Sequence, residues 1–182
     1  MNYKILVNKD NLLERTYVPL YLVDAYSNYK KDILVSRKVL EQFNLMKRDA
    51  NNIGYCIDIM SGYRDYDYQE KIYNKLLNDK GFAYTFRSVA KPGCSEHQTG
   101  LAIDICVYRD NKCYIEHELE DMEEIKWVIN NAYKYGFILR YPKNMEDKTG
   151  YNYEPWHFRY VGDIAEYLYR NNMILEDYIE VK

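Results

Sequence analysis

Residues 95–108 read SEHQTGLAIDICVY, and the way this stretch folds decides the rest. Leu101 to Tyr108 is apolar and rich in β-branched residues, which predicts a strand. Gly100 discourages one continuous helix and suits a turn. A turn followed by a strand lets His97 reach back beside Asp104. That aspartate sits among Leu101, Ala102, Ile103 and Ile105, where an unpaired carboxylate costs several kcal/mol. It must find a cation or hydrogen-bond donors. A metal ion would supply the charge; so would a plain ion pair between His97 and Asp104, and this stretch alone leaves both open.

Outward from it, GYCIDIMSGYR predicts a strand ending near Ser61 and Gly62, and a helix is expected after Asp65. Residues 36–51 form a helical pattern through Val39, Leu40, Phe43, Leu45 and Met46. Residues 79–96 look like a long loop punctuated by Gly81, Pro92 and Gly93. KCYIEHE fits a hairpin partner for the 101–108 strand. DMEEIKWVINNAYKYG predicts a helix capped by Asp121 and Glu124 and ended by Gly136. FILRY and HFRYV are expected as short strands, and residues 163–170 as a last helix. Residues 1–35 look irregular, with extended pieces KILV and PLYLV. Strands and helices that do not alternate strictly suggest an α+β fold, with helices against an antiparallel sheet.

The chain's 182 residues suit one domain spanning 1–182. A net charge of -3 gives no basic face for nucleic acid. No segment approaches the roughly 18 apolar residues of a membrane span. The start of the chain has an apolar run of only Ile5 to Val7, so a cytoplasmic protein is expected if Met1 is the natural start. Cys56, Cys94, Cys106 and Cys113 form no CxxC pair, and reduced thiols are expected. The 22 tyrosines can line a cleft as well as fill a core.

A second stretch, EPWHF at 154–158, shifts the balance at Asp104 toward a metal. Catalytic zinc sites use three protein ligands and keep one position open. His97, Asp104 and His157 supply such a set, one zinc ion per chain, and Glu154 remains as a base. No HExxH helix is present. Arg64, in a turn between strand and helix, could hold a carboxylate or an oxyanion. Gln69 lies one helical turn on and could face the same cleft, and Ser95 could donate a hydrogen bond. His117, among acids in IEHELED, reads as a solvated residue. Cys94 and Cys106 read as small buried residues and Trp127 as core. Trp156 could wall the site or simply pack.

SGYR with its following glutamine, SEHQTGLAIDI, YGFILRYP and YEPWHFRYVG occur in this order over residues 61–162. In this the chain resembles the VanY-type zinc D-Ala-D-Ala carboxypeptidases of the LAS metallopeptidases, close to the VanXY-type D,D-peptidases. The resemblance implies a small α+β domain with a central antiparallel sheet and a zinc site in a cleft on its face. It makes His97, Asp104 and His157 the ligands, Glu154 the base and then acid, and Arg64 the group that polarises the scissile carbonyl. Gln69 and Ser95 would anchor the terminal D-alanine. The implied partners are D-Ala-terminated peptides or muropeptide precursors, and dipeptidase action is a possible addition. For a free dipeptide's ammonium, Asp58 and Asp65 are the candidate acids. An L,D-carboxypeptidase, a silent zinc-containing binding module and a Ser95–His97–Asp104 triad are the competing readings.

Overall fold

The computed structural model describes residues 2–180. Strands β1 (Leu22–Asp24) and β2 (Leu34–Ser36) form a small antiparallel pair, and α1 (Arg37–Asn51) follows directly. Then come β3 (Cys56–Ser61), α2 (Tyr66–Lys80), α3 (Phe82–Ser88), β4 (Ala102–Arg109), β5 (Lys112–Tyr114) and α4 (Glu123–Asn131). The chain ends with β6 (Phe137–Leu139), α5 (Glu146–Thr149), β7 (His157–Tyr160), α6 (Ala165–Arg170) and α7 (Leu175–Glu180). The main sheet runs β3-β4-β7-β6, with β5 also on β4, and all four of these pairings are antiparallel. The expected α+β class holds. No helix among the described residues is long and apolar enough to cross a membrane.

The register separates two faces. Ile57, Ile59, Ile103, Ile105, Val107 and Phe158 alternate onto one face, as period-two side chains must. There they pack with Val39, Phe43, Met46 and Ala50 of α1, whose spacing makes a single helical stripe. Ile125 and Val128 of α4 complete this core. Asp104, His157 and Arg159 lie on the opposite face. A smaller apolar cluster of Ile138, Val161, Ile164, Leu168 and Leu175 holds α6 and α7.

Local expectations were met unevenly. Asp65 caps α2, its Oδ1 accepting from the Tyr68 amide at 2.7 Å. KCYIEHE does supply β5, through Lys112–Tyr114. Residues 79–96 are not a long loop, because α3 lies within them. Asp121 does not cap α4: Met122 holds that position, and Glu124 instead receives Arg109 Nε at 2.8 Å. The helix ends at Asn131 and tightens into a 3-10 turn before Gly136. KILV forms no strand, PLYLV contributes only β1, and α7 follows the helix expected to be last.

Candidate metal centre and cleft

Asp104 and His157 oppose each other in the β4–β7 pairing. Directly opposed residues of an antiparallel pair project to the same face. His157 Nδ1 and Asp104 Oδ1 accordingly stand 3.0 Å apart. Along its other edge β4 pairs with β3, where a bulge between Ile59 and Ser61 shifts the register beside Asp104. Beyond the bulge, the Gly62 carbonyl accepts from His97 Nδ1 at 2.6 Å. His97 itself sits in the 3-10 turn Glu96–Thr99, which Gly100 closes in the left-handed region at φ 68°. Its Nε2 lies 3.3 Å from Asp104 Oδ2. Sequence-distant rings thus meet edge to face, with centroids 4.9 Å apart. One ligand atom from each of His97, Asp104 and His157 lies within 4.8 Å of the others, and all three residues are buried.

These atoms fit zinc. A carbonyl only accepts, so His97 carries its proton on Nδ1 and a lone pair on Nε2. Burial, followed by the nearby Arg64 charge, lowers its pKa to about 4 and keeps the ring neutral. A lone pair therefore faces a carboxylate, and His97 Nε2 has no hydrogen-bond partner. Two electron-rich groups held this close away from water call for a cation between them. Ligands at 2.0–2.1 Å around a tetrahedral ion are about 3.3 Å apart, a spacing comparable to the two contacts with Asp104. Burial opposes a charge on His157, but the neighbouring carboxylates of Asp104 and Glu96 raise its pKa to about 9. A metal entering there displaces a proton.

Glu154 stands at the edge of the centre, its Oε2 3.7 Å from His157 Nδ1. Its amide donates to the Tyr141 carbonyl and its own carbonyl accepts from the His157 amide, a turn that Pro155 accommodates. Burial raises the Glu154 pKa to about 7, where a carboxylate exchanges protons near neutrality.

The centre opens into a cleft of about 510 Å³ lined by Arg64, Gln69 and Ser95 as well as by the ligands. Arg64 Nε is buried without a hydrogen-bond partner. Gln69 Nε2 donates to the Ala90 carbonyl at 2.8 Å, which leaves the buried Oε1 as an unpartnered acceptor. Every residue that the sequence placed in the site therefore lines one cleft. Asp58 and Asp65 do not: Asp58 is buried against Lys47 at 2.9 Å, and Asp65 caps α2. Glu116 is the acid that lines the cleft beyond Asp104 and Glu154.

Other members escaped the sequence reading. His117 is exposed, as expected of a solvated residue, yet it packs edge to face on Trp156 at 4.8 Å and both line the cleft. Trp156 therefore walls the site. Helix α3 adds Tyr84 and Ser88 to the lining. Behind the centre lies a buried charge network. Glu96 Oε1 accepts from Arg140 Nε and Arg159 Nη1, both at 2.7 Å. Arg140 also forks onto Glu176 at 2.8 and 2.6 Å. Arginines inside the apolar strands FILRY and HFRYV were the available signal.

A family model described as VanY, D-alanyl-D-alanine carboxypeptidase, matches residues 32–163. The bifunctional D-Ala-D-Ala dipeptidase and D-Ala-D-Ala carboxypeptidase VanXYC of Enterococcus gallinarum is 38% identical over 165 residues, covering 89% of this chain and 85% of that protein. The solved LdcB LD-carboxypeptidase superposes with a TM-score of 0.88 at 42% identity, over 96% of this chain and 84% of the other. A vancomycin resistance D,D-pentapeptidase, VanY of a VanB-type cassette solved in complex with Zn(II), gives 0.81 at 29% identity, over 98% and 99%.

Proposed function

The chain belongs to the VanY family of D-alanyl-D-alanine carboxypeptidases, and from that premise we propose that it is a zinc-dependent D,D-carboxypeptidase removing the terminal D-alanine of peptidoglycan precursor peptides. The observation that carries the metal assignment is the buried His97 Nε2, which faces Asp104 with no partner of its own. His97, Asp104 and His157 would hold the ion. Bound there, zinc supplies Lewis acidity to water and to the scissile carbonyl.

The remaining steps belong to side chains. Arg64 directs its guanidinium at the carbonyl oxygen and stabilises the charge that develops on it. Glu154 accepts the proton of the attacking water and returns it to the departing amine nitrogen. Ser95 donates to the terminal carboxylate. Gln69, with Oε1 unpartnered, accepts an N–H of the peptide while its amide stays on Ala90.

A second activity has a specific observation behind it. Free D-Ala-D-Ala carries an ammonium, and Glu116 gives the cleft a carboxylate to receive it. The likeness to LdcB keeps L,D-carboxypeptidase action as the alternative. One experiment separates these activities: the protein is incubated in parallel with a pentapeptide ending in D-Ala-D-Ala, a tetrapeptide ending in D-Ala and free D-Ala-D-Ala, and released D-alanine is followed. The pentapeptide should be cut fastest, and chelator should stop the reaction. Preference for the tetrapeptide would assign L,D specificity, and turnover that survives complete metal removal would remove the zinc mechanism.

A further inference from the structure

We propose that Glu96 is a positioning residue for His157, and that Arg140 and Arg159 hold its carboxylate in place for that task; this rests on the zinc reading above. Glu96 divides its two oxygens. Oε1 is taken twice, by Arg140 and Arg159. Oε2 is buried without a hydrogen-bond partner, as is His157 Nε2, and the two atoms stand 3.6 Å apart. Each is the nearest answer to the other's unmet need.

The consequence lies on the far side of the ring. When one imidazole nitrogen donates, the other presents its lone pair. A proton on Nε2 directed at Glu96 leaves the Nδ1 lone pair on the side of Asp104 and the metal centre. Turning the ring over would replace Nδ1 with a carbon and break both relationships. Tyr141 packs against the same ring at 4.9 Å and limits that motion. His97 is fixed differently, by the neutral carbonyl of Gly62. Only His157 is backed by a full charge, which strengthens its donation to a metal.

The arginines explain how a carboxylate remains charged there. Glu96, Arg140 and Arg159 are almost wholly buried, and a lone buried carboxylate would neutralise itself. Two guanidiniums against Glu96 and Glu176 balance the charge. Because both act on Glu96 through Oε1, Oε2 is left to His157.

The test compares the full chain with Glu96→Gln and Glu176→Gln by zinc titration against a chromogenic chelator and by the visible spectrum of the Co(II)-loaded protein. Glu96→Gln should weaken zinc binding about 10–100-fold, the usual scale for such partners, and change the cobalt bands. Glu176→Gln, three contacts from the ring, should unfold at lower urea yet keep the unsubstituted zinc affinity and spectrum. Unaltered affinity and spectrum in Glu96→Gln would overturn the proposal. So would an equal zinc loss in both variants, which is what a purely structural network predicts. If Glu96→Gln does not fold, Glu96→Asp, which keeps the charge and withdraws it from Nε2, is measured instead; undiminished affinity there counts against the proposal equally. An unsubstituted chain that takes up no zinc overturns the metal reading, and this proposal with it.

Discussion

His97 Nδ1 donates to the Gly62 carbonyl at 2.6 Å, so the backbone of the β3 exit fixes which nitrogen of His97 faces Asp104. That glycine has no room to change. A Cβ at residue 62 would lie 2.3 Å from the Leu34 carbonyl oxygen and 2.7 Å from Val35 Cγ1. Gly62→Ala must therefore move either β2 or the carbonyl that holds His97. We expect a stability loss of about 1–3 kcal/mol in urea unfolding and zinc affinity weakened by roughly tenfold or more in chelator competition. A variant with both properties unchanged would separate Gly62 from the metal centre.

Glu154→Gln removes the proposed proton acceptor and leaves His97, Asp104 and His157 intact. The expected result is a fall in kcat of about 10²–10⁴-fold, with zinc content still near one ion per chain by elemental analysis. Retained turnover would exclude Glu154 as the base; lost zinc would make it part of the metal's support.

Arg64→Gln should lower kcat/KM by about 10²–10³-fold, the scale for removing one oxyanion donor. Zinc content should be preserved. A change confined to KM would reassign Arg64 to binding the terminal carboxylate alone.

The buried network predicts an acid limit to stability. Burial opposes a charge on Glu96, yet Arg140 and Arg159 hold its carboxyl far below the usual carboxylate range. The folded pKa is thus lower than the unfolded one, which is about 4.3. The contribution is complete above the unfolded value and disappears as pH falls toward the folded one. The urea midpoint should drop as pH passes below about 5. Arg140→Met leaves Glu176 without its guanidinium and Glu96 with Arg159 alone, should cost about 3–5 kcal/mol, and should shrink that acid dependence. An acid profile identical to that of the unsubstituted chain would show that Glu96 does not set it.

Much of the site was legible because its pieces are local. The strand character of 102–109 and of 157–160, and the cap at Asp65, follow from alternation and from one side chain reaching three residues on. What escaped depends on partners remote in sequence. Glu124 fits a capping box on paper, but Arg109 from β4 claims it. Ile5 belongs to an extended-looking run, but its carbonyl, like that of Tyr3, is taken by the Arg159 guanidinium and not by a sheet. Helix α3 carries exposed Phe82 and Phe86, so no apolar stripe announced it. The setting of Glu96 needed two arginines, Arg140 just past β6 and Arg159 in β7, to be brought to one oxygen, which no spacing reveals.

From Ser95 to Gly100 every residue is buried, and the run ties the metal centre to the amino-terminal segment, where Gln98 Nε2 bonds the carbonyls of Glu14 and Tyr17. Sequence drift within that hexapeptide would trade chemistry and folding against each other at each step. The rim of the cleft where Tyr84 and Asn152 meet water carries no such double duty. Changes of peptide preference within this lineage should accumulate there, and a library confined to that rim is where selection for new substrates should begin.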